Sequence, residues 1–416
     1  MVLLKTGRIF HIWDLPKDLI WIDLEDDFRK ELIDKAKEVA GGEIKLAQYL
    51  KVKKHNIFNW RRGRSYWKNV VTRRLVPLKY ILILCSLIND SKFSRLELEK
   101  NILAFKGPGN GRLIKNKFPW KEDERIIRIL FHLLGDGFAS DFGKYNEKGK
   151  NNGLPYYRNT KKELLEEFKN DLSFFGEVPT NLNIDMLQFP KVISYVLKYL
   201  YEVEFTTYTG SVPKIVFNLP KEIVAQGIKA FADDEGSVDD SRIRIFSFNK
   251  KMLSQIRLLM ISKFPEIGII NLGDIVSYTT NLENKKYKSY KFSINSGGLG
   301  EYYKQIGFSH KRKKNLLENW IKRKNRGWNR RAKNITKLLI LKSLINEPKT
   351  SIEISCEVNV SATSVMAHMQ GNSNGIKSLA KAKLVKNIGL TIHHGKIWAI
   401  TNEGLNYFNK ESLRDI

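Results

Sequence analysis

Two apolar helical runs, each ending in an acidic residue and a glycine, constrain this chain more than any other feature. One, Ile223–Val238, reads IVAQGIKAFADDEGSV; the earlier one, Ile126–Phe138, reads IIRILFHLLGDGF. The first run to occur stops at Asp136-Gly137 and the later one at Glu235-Gly236. Each apolar run predicts a buried helix, with the carboxylate at its end and the glycine turning the chain out of it. One such ending is ordinary. Two in one chain, followed by similar material, predict two copies of one unit packed through their helices. Asp136 and Glu235 would then sit side by side at one end.

Two close carboxylates repel each other and so invite divalent cations. A metal held there can activate water and stabilise a leaving oxygen in phosphodiester hydrolysis. The overall charge points to the same chemistry. Lys and Arg number 72 against 44 Asp and Glu, a formal net charge of +28, which predicts a polyanion partner, nucleic acid first. The 416 residues, 42% of them hydrophobic, are enough for several domains with real cores. The two cysteines, Cys85 and Cys356, lie in apolar surroundings and offer neither a disulfide framework nor zinc-ligand spacing. Charges come too early in MVLLKTGRIFHIWDL for a signal peptide, and no run of about 18 apolar residues occurs. The expectation is a cytoplasmic protein with no membrane span.

The motif residues carry a resemblance. Ile228–Gly236 (IKAFADDEG) and Ile129–Gly137 (ILFHLLGDG) resemble the two motifs of the LAGLIDADG homing endonucleases. Phe217-Asn218-Leu219-Pro220-Lys221-Glu222 looks like the family's lead-in to the second motif helix, and Ile306-Gly307-Phe308 like its ending. Ala230 fits the family's small third motif position, whereas Phe131 departs from it. The resemblance implies that Asp136 and Glu235 bind Mg²⁺ and that metal-bound water attacks each DNA strand. It implies no direct metal role for Asp233. It also implies a basic residue beside each reaction centre, for which Lys214 and either Lys311 or Lys313 are the best matches.

Around the motifs, both halves read helix, strands, helix, strands, helix. Expected strands are Phe138–Tyr145, Leu154–Arg158, a pair ending at Phe248, 274–279 and 288–294; expected helices are Lys161–Phe175, Lys250–Phe264 and Gly298–Ile306. Arg242, Arg244 and Phe246 alternate with Ile243, Ile245 and Ser247, so one strand face is apolar and the other cationic. That face suits a β-ribbon in a major groove, or an ordinary half-exposed strand.

Before the duplicated block, Glu43–Leu50 and His55–Gly63 read as two short helices, with apolar contacts at Leu46, Ala47, Leu50, Val52, Ile57 and Trp60. An acidic helix, Asp26–Val39, precedes them, and Pro77-Leu78-Lys79-Tyr80 opens another. The pattern is a helix-turn-helix and resembles phage-repressor-type DNA-binding domains. No acid occurs between Glu43 and Asp90. Lys54, His55, Asn56 and Asn59 are the expected base readers, with Arg61 and Arg62 in the basic cluster. Residues 91–120 read as a connector with a break at Gly107-Pro108-Gly109-Asn110-Gly111.

After the block, Ser309–Asn334 is a basic run holding Trp320 and Trp328. Then come helices at Leu338–Ile345, Thr350–Val358 and Ser361–Met369, with Gly375–Leu384 extending the last or adding another. Strands Val385–Leu390 and Lys396–Thr401 follow, joined through His393-His394-Gly395. The order reads as a winged helix, a fold that binds nucleic acid or protein.

The resulting expectation is an α+β chain in three parts: an all-α helix-turn-helix domain at 1–105, a pseudo-two-fold αββαββα LAGLIDADG core at 115–325, and a winged helix at 332–416. The expected activity is Mg²⁺-dependent, site-specific cleavage of double-stranded DNA by a monomer. The alternatives are a non-catalytic DNA-binding regulator or an RNA maturase on the same fold. Met1 is neither Cys nor Ser, and the chain ends Arg414-Asp415-Ile416 without a His-Asn pair, so a free-standing or intron-encoded protein is expected rather than an intein.

Overall fold

The computed structural model describes residues 7–67, 70–73, 75–108, 111–115, 117–139, 154–206, 208–239, 241–282, 285–325, 335–358, 360–371, 378–391 and 395–412. The chain mixes helices with several small antiparallel sheets. It divides into two compact units, residues 1–237 with 244–310, and residues 238–243 with 311–416.

The first unit opens with β1 (Ile9–Phe10), β2 (Trp21–Leu24), α1 (Asp26–Ala40), α2 (Glu43–Tyr49) and α3 (Lys54–Arg62). Next come β3 (Arg64–Trp67), β4 (Val70–Arg73), β5 (Val76–Pro77) and α4 (Leu78–Ile88). Then follow α5 (Arg95–Lys100), β6 (Ile102–Lys106), β7 (Ile114–Lys115) and β8 (Trp120–Lys121). Leu46, Ala47, Leu50, Ile57 and Trp60 are buried as expected, because they line the inner faces of α2 and α3. Two expectations fail here. The N-terminal region is not all-α: β2 lies central in a four-stranded sheet of order β5-β2-β6-β7, and β3 pairs with β4 directly after α3. Nor is the stretch after residue 91 a mere connector. Ile102, Ala104 and Phe105 of β6 are buried beside β2, and an apolar strand with a paired neighbour is a core element.

The duplicated region runs α6 (Glu124–Leu134), β9 (Gly137–Phe138), β10 (Tyr156–Arg158), α7 (Lys162–Asp171), β11 (Asn181–Leu182), β12 (Met186–Gln188) and α8 (Lys191–Tyr201). It continues α9 (Lys221–Glu235), β13 (Gly236–Val238), β14 (Arg242–Ser247), α10 (Lys250–Lys263), β15 (Val276–Leu282), β16 (Lys285–Asn295) and α11 (Leu299–Gln305). The two sheets are ordered β9-β10-β12-β11 and β13-β14-β16-β15. In both, the first strand pairs the second, the second the fourth, and the fourth the third. Shared element order and shared strand order make the internal duplication a property of topology, whatever the residue identity. The expected strand Phe138–Tyr145 begins as β9, and its remainder, with the Lys148–Gly153 loop, lies outside the described residues.

The second unit holds α12 (Lys311–Asn325), α13 (Ile335–Ser343), β17 (Lys349–Thr350), α14 (Ser351–Val358), α15 (Ala362–Gln370), β18 (Val385–Leu390), β19 (Lys396–Ile400) and α16 (Asn402–Ser412). Ser361 caps α15 as expected, its hydroxyl accepting from the Ser364 N–H at 3.0 Å. Ile340, Leu344, Ile354, Val365, Leu379 and Trp398 meet in one core over a sheet of order β17-β19-β18. The described part of Gly375–Leu384 forms turns at 379–383 rather than a helix. His393, His394 and the basic stretch 326–334 lie outside the described residues. Among the described residues, no helix is long and apolar enough to cross a membrane.

Candidate active site and nucleic-acid faces

The site starts from the way α6 and α9 pack. Phe131, the residue that departs from the small-residue pattern, is fully buried. Its ring fills the space a side chain would need at Gly227: a Cβ there would sit 2.7 Å from Phe131 Cδ2 and 2.9 Å from Ile127 Cγ2. The small residue that close helix approach requires has moved to the partner helix. Nearer the helix ends, a Cβ on Gly135 would lie 3.1 Å from Cβ of Asp234. Gly135 immediately precedes Asp136, and Asp234 immediately precedes Glu235. The crossing therefore brings the ends that carry the two motif acids together.

The glycines after the acids do a different job from the one expected. Neither adopts a left-handed φ; Gly236 has φ −94° and ψ 152°. They are required for space. A Cβ at Gly137 would lie 2.4 Å from Leu133 Cα, and one at Gly236 would lie 2.3 Å from the Ala232 carbonyl oxygen. Each chain thus folds back tightly on its own helix end before entering β9 or β13.

Asp136 is exposed and Glu235 half-buried. The Arg158 N–H donates to the Asp136 carbonyl at 3.2 Å, beside the Tyr157–Gly137 strand pairing. Two hard carboxylates at one convergence suit Mg²⁺, which commonly takes one or two protein carboxylates and completes its shell with water and substrate phosphate. Among the described residues, no group of three or more His, Cys, Asp or Glu is arranged to hold a metal ion.

The extra acids of the second motif have separate tasks. Asp233 is buried and accepts from the N–H groups of Ser309 at 2.9 Å and His310 at 3.0 Å, just ahead of α12. Burial pushes its carboxyl up to about 6, against the pull of those two donors. Asp234 faces the first half. It stands 2.8 Å from His132 Nδ1, and accepts from the Tyr157 hydroxyl at 2.6 Å and the Asn159 amide at 3.2 Å. Burial, then the carboxylates of Asp234 and Asp136, push the Tyr157 phenol far above its usual range. Burial alone would lower His132, but the carboxylates of Asp234, then Glu167 and Asp233, together outweigh it and hold the imidazole above its ordinary value. Sequence reasoning missed this cluster, since His132 in an apolar run reads as filler.

The expected lysines are placed less decisively. Lys214 is exposed at the start of a short 3₁₀ helix, Lys214–Asn218. Lys311 and Lys313 lie in the first turn of α12, in the second unit.

The cationic strand face is formed as the alternation predicts. Ile243, Ile245 and Ser247 are buried, whereas Arg242 is exposed and Arg244 half-buried. Arg242 lies 3.5 Å from Asp239. The same face carries aromatics not singled out beforehand: Phe246 meets Tyr278 edge-on at 6.0 Å, and the Lys291 ammonium sits 5.0 Å from the Tyr278 ring centre.

In α3, Lys54, His55 and Arg62 are exposed, while Asn56 and Asn59 are half-buried. Arg61 is held by Asp34 of α1 through three hydrogen bonds of 2.7–2.9 Å. Gly63 (φ 70°) leaves room for the Arg29 guanidinium, which a Cβ would approach to 2.0 Å.

Comparison with known proteins leaves this geometry as the principal guide. No protein-family model matches the chain. The chain is similar to the DNA polymerase II large subunit of Thermococcus kodakarensis, 24% identical over 267 residues. It is also similar to that organism's "Probable translation initiation factor IF-2", 28% identical over 276 residues. These matches take in 60% and 57% of this chain but only 14% and 23% of the two relatives.

Proposed function

We propose that the chain is a single-chain, two-motif LAGLIDADG-type DNA endonuclease, flanked by an N-terminal helix-turn-helix and a C-terminal winged helix. The observation that carries this reading is the contact of Gly135 with Asp234, which brings the Asp136 and Glu235 ends of two duplicated units together. Support comes from the repeated αββαββα order with one strand order in both halves, and from the helix-strand-helix-helix-hairpin order near the C-terminus. The two relatives differ in named activity, yet each match covers more than half of this chain, so the matched segments overlap. A self-contained unit carried in different hosts fits that distribution better than either named activity does.

In this reading Asp136 and Glu235 would hold Mg²⁺. The metal, when bound, supplies Lewis-acid activation of water and of the leaving oxygen in phosphodiester hydrolysis. The chain's own residues do the rest. Asp234 with His132, Tyr157 and Asn159 holds the helix ends in register. Arg244, Lys291 and the aromatic strand face bind the DNA backbone. A basic residue beside each acid would offset charge as the reaction proceeds, as the resemblance implies. The protein acts in the cytoplasm as a monomer, because one chain supplies both acids.

The test is cleavage of a randomised duplex library with Mg²⁺, with and without chelator, by wild type and by Asp136→Asn and Glu235→Gln. Mg²⁺-dependent cuts at a recurring sequence, lost in both variants while DNA binding persists, are expected. Binding without cutting by wild type would favour the regulator reading on the same fold.

A further inference from the structure

The recognition helix presents a residue that charge and motif reading passed over. Resting on the reading of α2 and α3 as a DNA-binding helix-turn-helix, we propose that Phe58 packs on the 5-methyl group of a thymine in the major groove. It would do so from the centre of a base-reading face made of His55, Phe58, Asn59 and Arg62.

The face follows from helix geometry. Ile57 and Trp60 are the buried residues of α3 and define its inner side. At 100° per residue, the opposite side is occupied by positions 55, 58, 59 and 62, an i, i+3, i+4, i+7 set. Phe58 lies within that set and is 51% exposed. Arg61 points toward the flank and is spoken for by Asp34. The usual alternative, that an exposed phenylalanine packs on its own domain, is met instead by Trp60, which lies against Tyr80 with ring centres 5.0 Å apart.

The surroundings select the occupant. No acidic residue occurs between Glu43 and Asp90, and Lys51, Lys53, Lys54, His55 and Arg62 are all exposed. An apolar protein groove would meet this ring among exposed cations. Duplex DNA offers both matching chemistries at once: phosphates for the cations and, at thymine alone among the four bases, a methyl group on the major-groove edge. The ring also sits on a fixed mount. α3 ends at Gly63, whose left-handed φ and lack of Cβ seat it over the buried Arg29.

The experiment uses the full chain. Duplexes bound by the wild type are selected from a random pool, the footprint of the helix-turn-helix is mapped, and each thymine in it is replaced singly by deoxyuridine, which lacks only the methyl. Wild type is expected to lose about fourfold in affinity at one or two positions, roughly what burying one methyl-sized group contributes. Phe58→Ala is expected to bind the parent duplex about fourfold more weakly and to be indifferent to the same replacement, with unchanged thermal unfolding. Phe58→Leu, still apolar, should recover most of the methyl dependence. Duplex binding with no methyl-sensitive position, or with equal sensitivity in wild type and Phe58→Ala, overturns this inference alone. Loss of duplex binding in every form tested, with Phe58 mediating capture of a protein instead, overturns it together with the helix-turn-helix reading beneath it.

Discussion

The Asp234 carboxylate of α9 stands 2.8 Å from Nδ1 of His132 on α6, and both side chains are almost wholly out of solvent. This pair ties the second half to the first at the level of the motif acids, and Tyr157 and Asn159 complete it. Asp234→Ala would leave the buried His132 and Tyr157 without their acceptor. The expected cost is about 3 kcal/mol or more in denaturant unfolding, because the His132 side is left uncompensated. Asp234→Asn keeps the shape and should cost less, yet still slow cleavage by displacing Asp136 relative to Glu235. Normal rates in a folded Asp234→Asn protein would show that the tie is structural only.

The same pair predicts a pH dependence. His132 titrates above its ordinary 6.5 in the folded chain. A raised folded value contributes stability that is complete below the unfolded value and is lost as pH rises through the folded one. Wild type should therefore lose stability relative to His132→Gln as pH is raised from about 6 into the alkaline range. Unfolding free energies of both proteins across that series test it; parallel curves would contradict the assignment.

At the helix seam, bulk and space are complementary. Gly227→Ala places a methyl 2.7 Å from the Phe131 ring and should cost about 1–3 kcal/mol by overpacking. Phe131→Leu in the same protein should restore part of that loss. A double-mutant cycle reads the coupling directly, and strict additivity would mean the two residues relax independently.

Neighbouring arginines on α3 should behave differently. Arg61 is held by Asp34, so Arg61→Ala should change DNA affinity little and cost only about 0.2–1 kcal/mol of stability. Arg62 lies exposed on the outer face, and Arg62→Ala should weaken binding and lower the salt slope by about one. The two slopes, measured by titration in increasing salt, separate the roles.

What could be read beforehand tracks the length and periodicity of each element. The motif helices, and α10 and α14 to within a few residues, follow from apolar residues at helical spacing, while β18 matches the expected strand to the residue without a regular alternation. Two-residue strands such as β5 and β11 carry no period at all. β2 buries three successive residues, Ile22, Asp23 and Leu24, and so hides the alternation that would mark it. α16 follows the expected hairpin, and the winged-helix reading stops short of it. At the site, the two acids were legible from local motif grammar. The Asp234 cluster was not, because its members lie up to 102 positions apart and meet only once the helices cross.

The partnership of Phe131 with Gly227 bears on how such a chain could be assembled. Aligned motif to motif, the residue in the first half that corresponds to Gly227 is Arg128, whose guanidinium is engaged by Asp171. A first half facing its own twin would drive an aromatic ring into that arginine, and two second halves would confront glycine with alanine and leave a hole. Only unlike halves close the gap. The polypeptide is therefore committed to asymmetry at its very axis, and cutting it into separate subunits would yield a pair that must find each other rather than themselves.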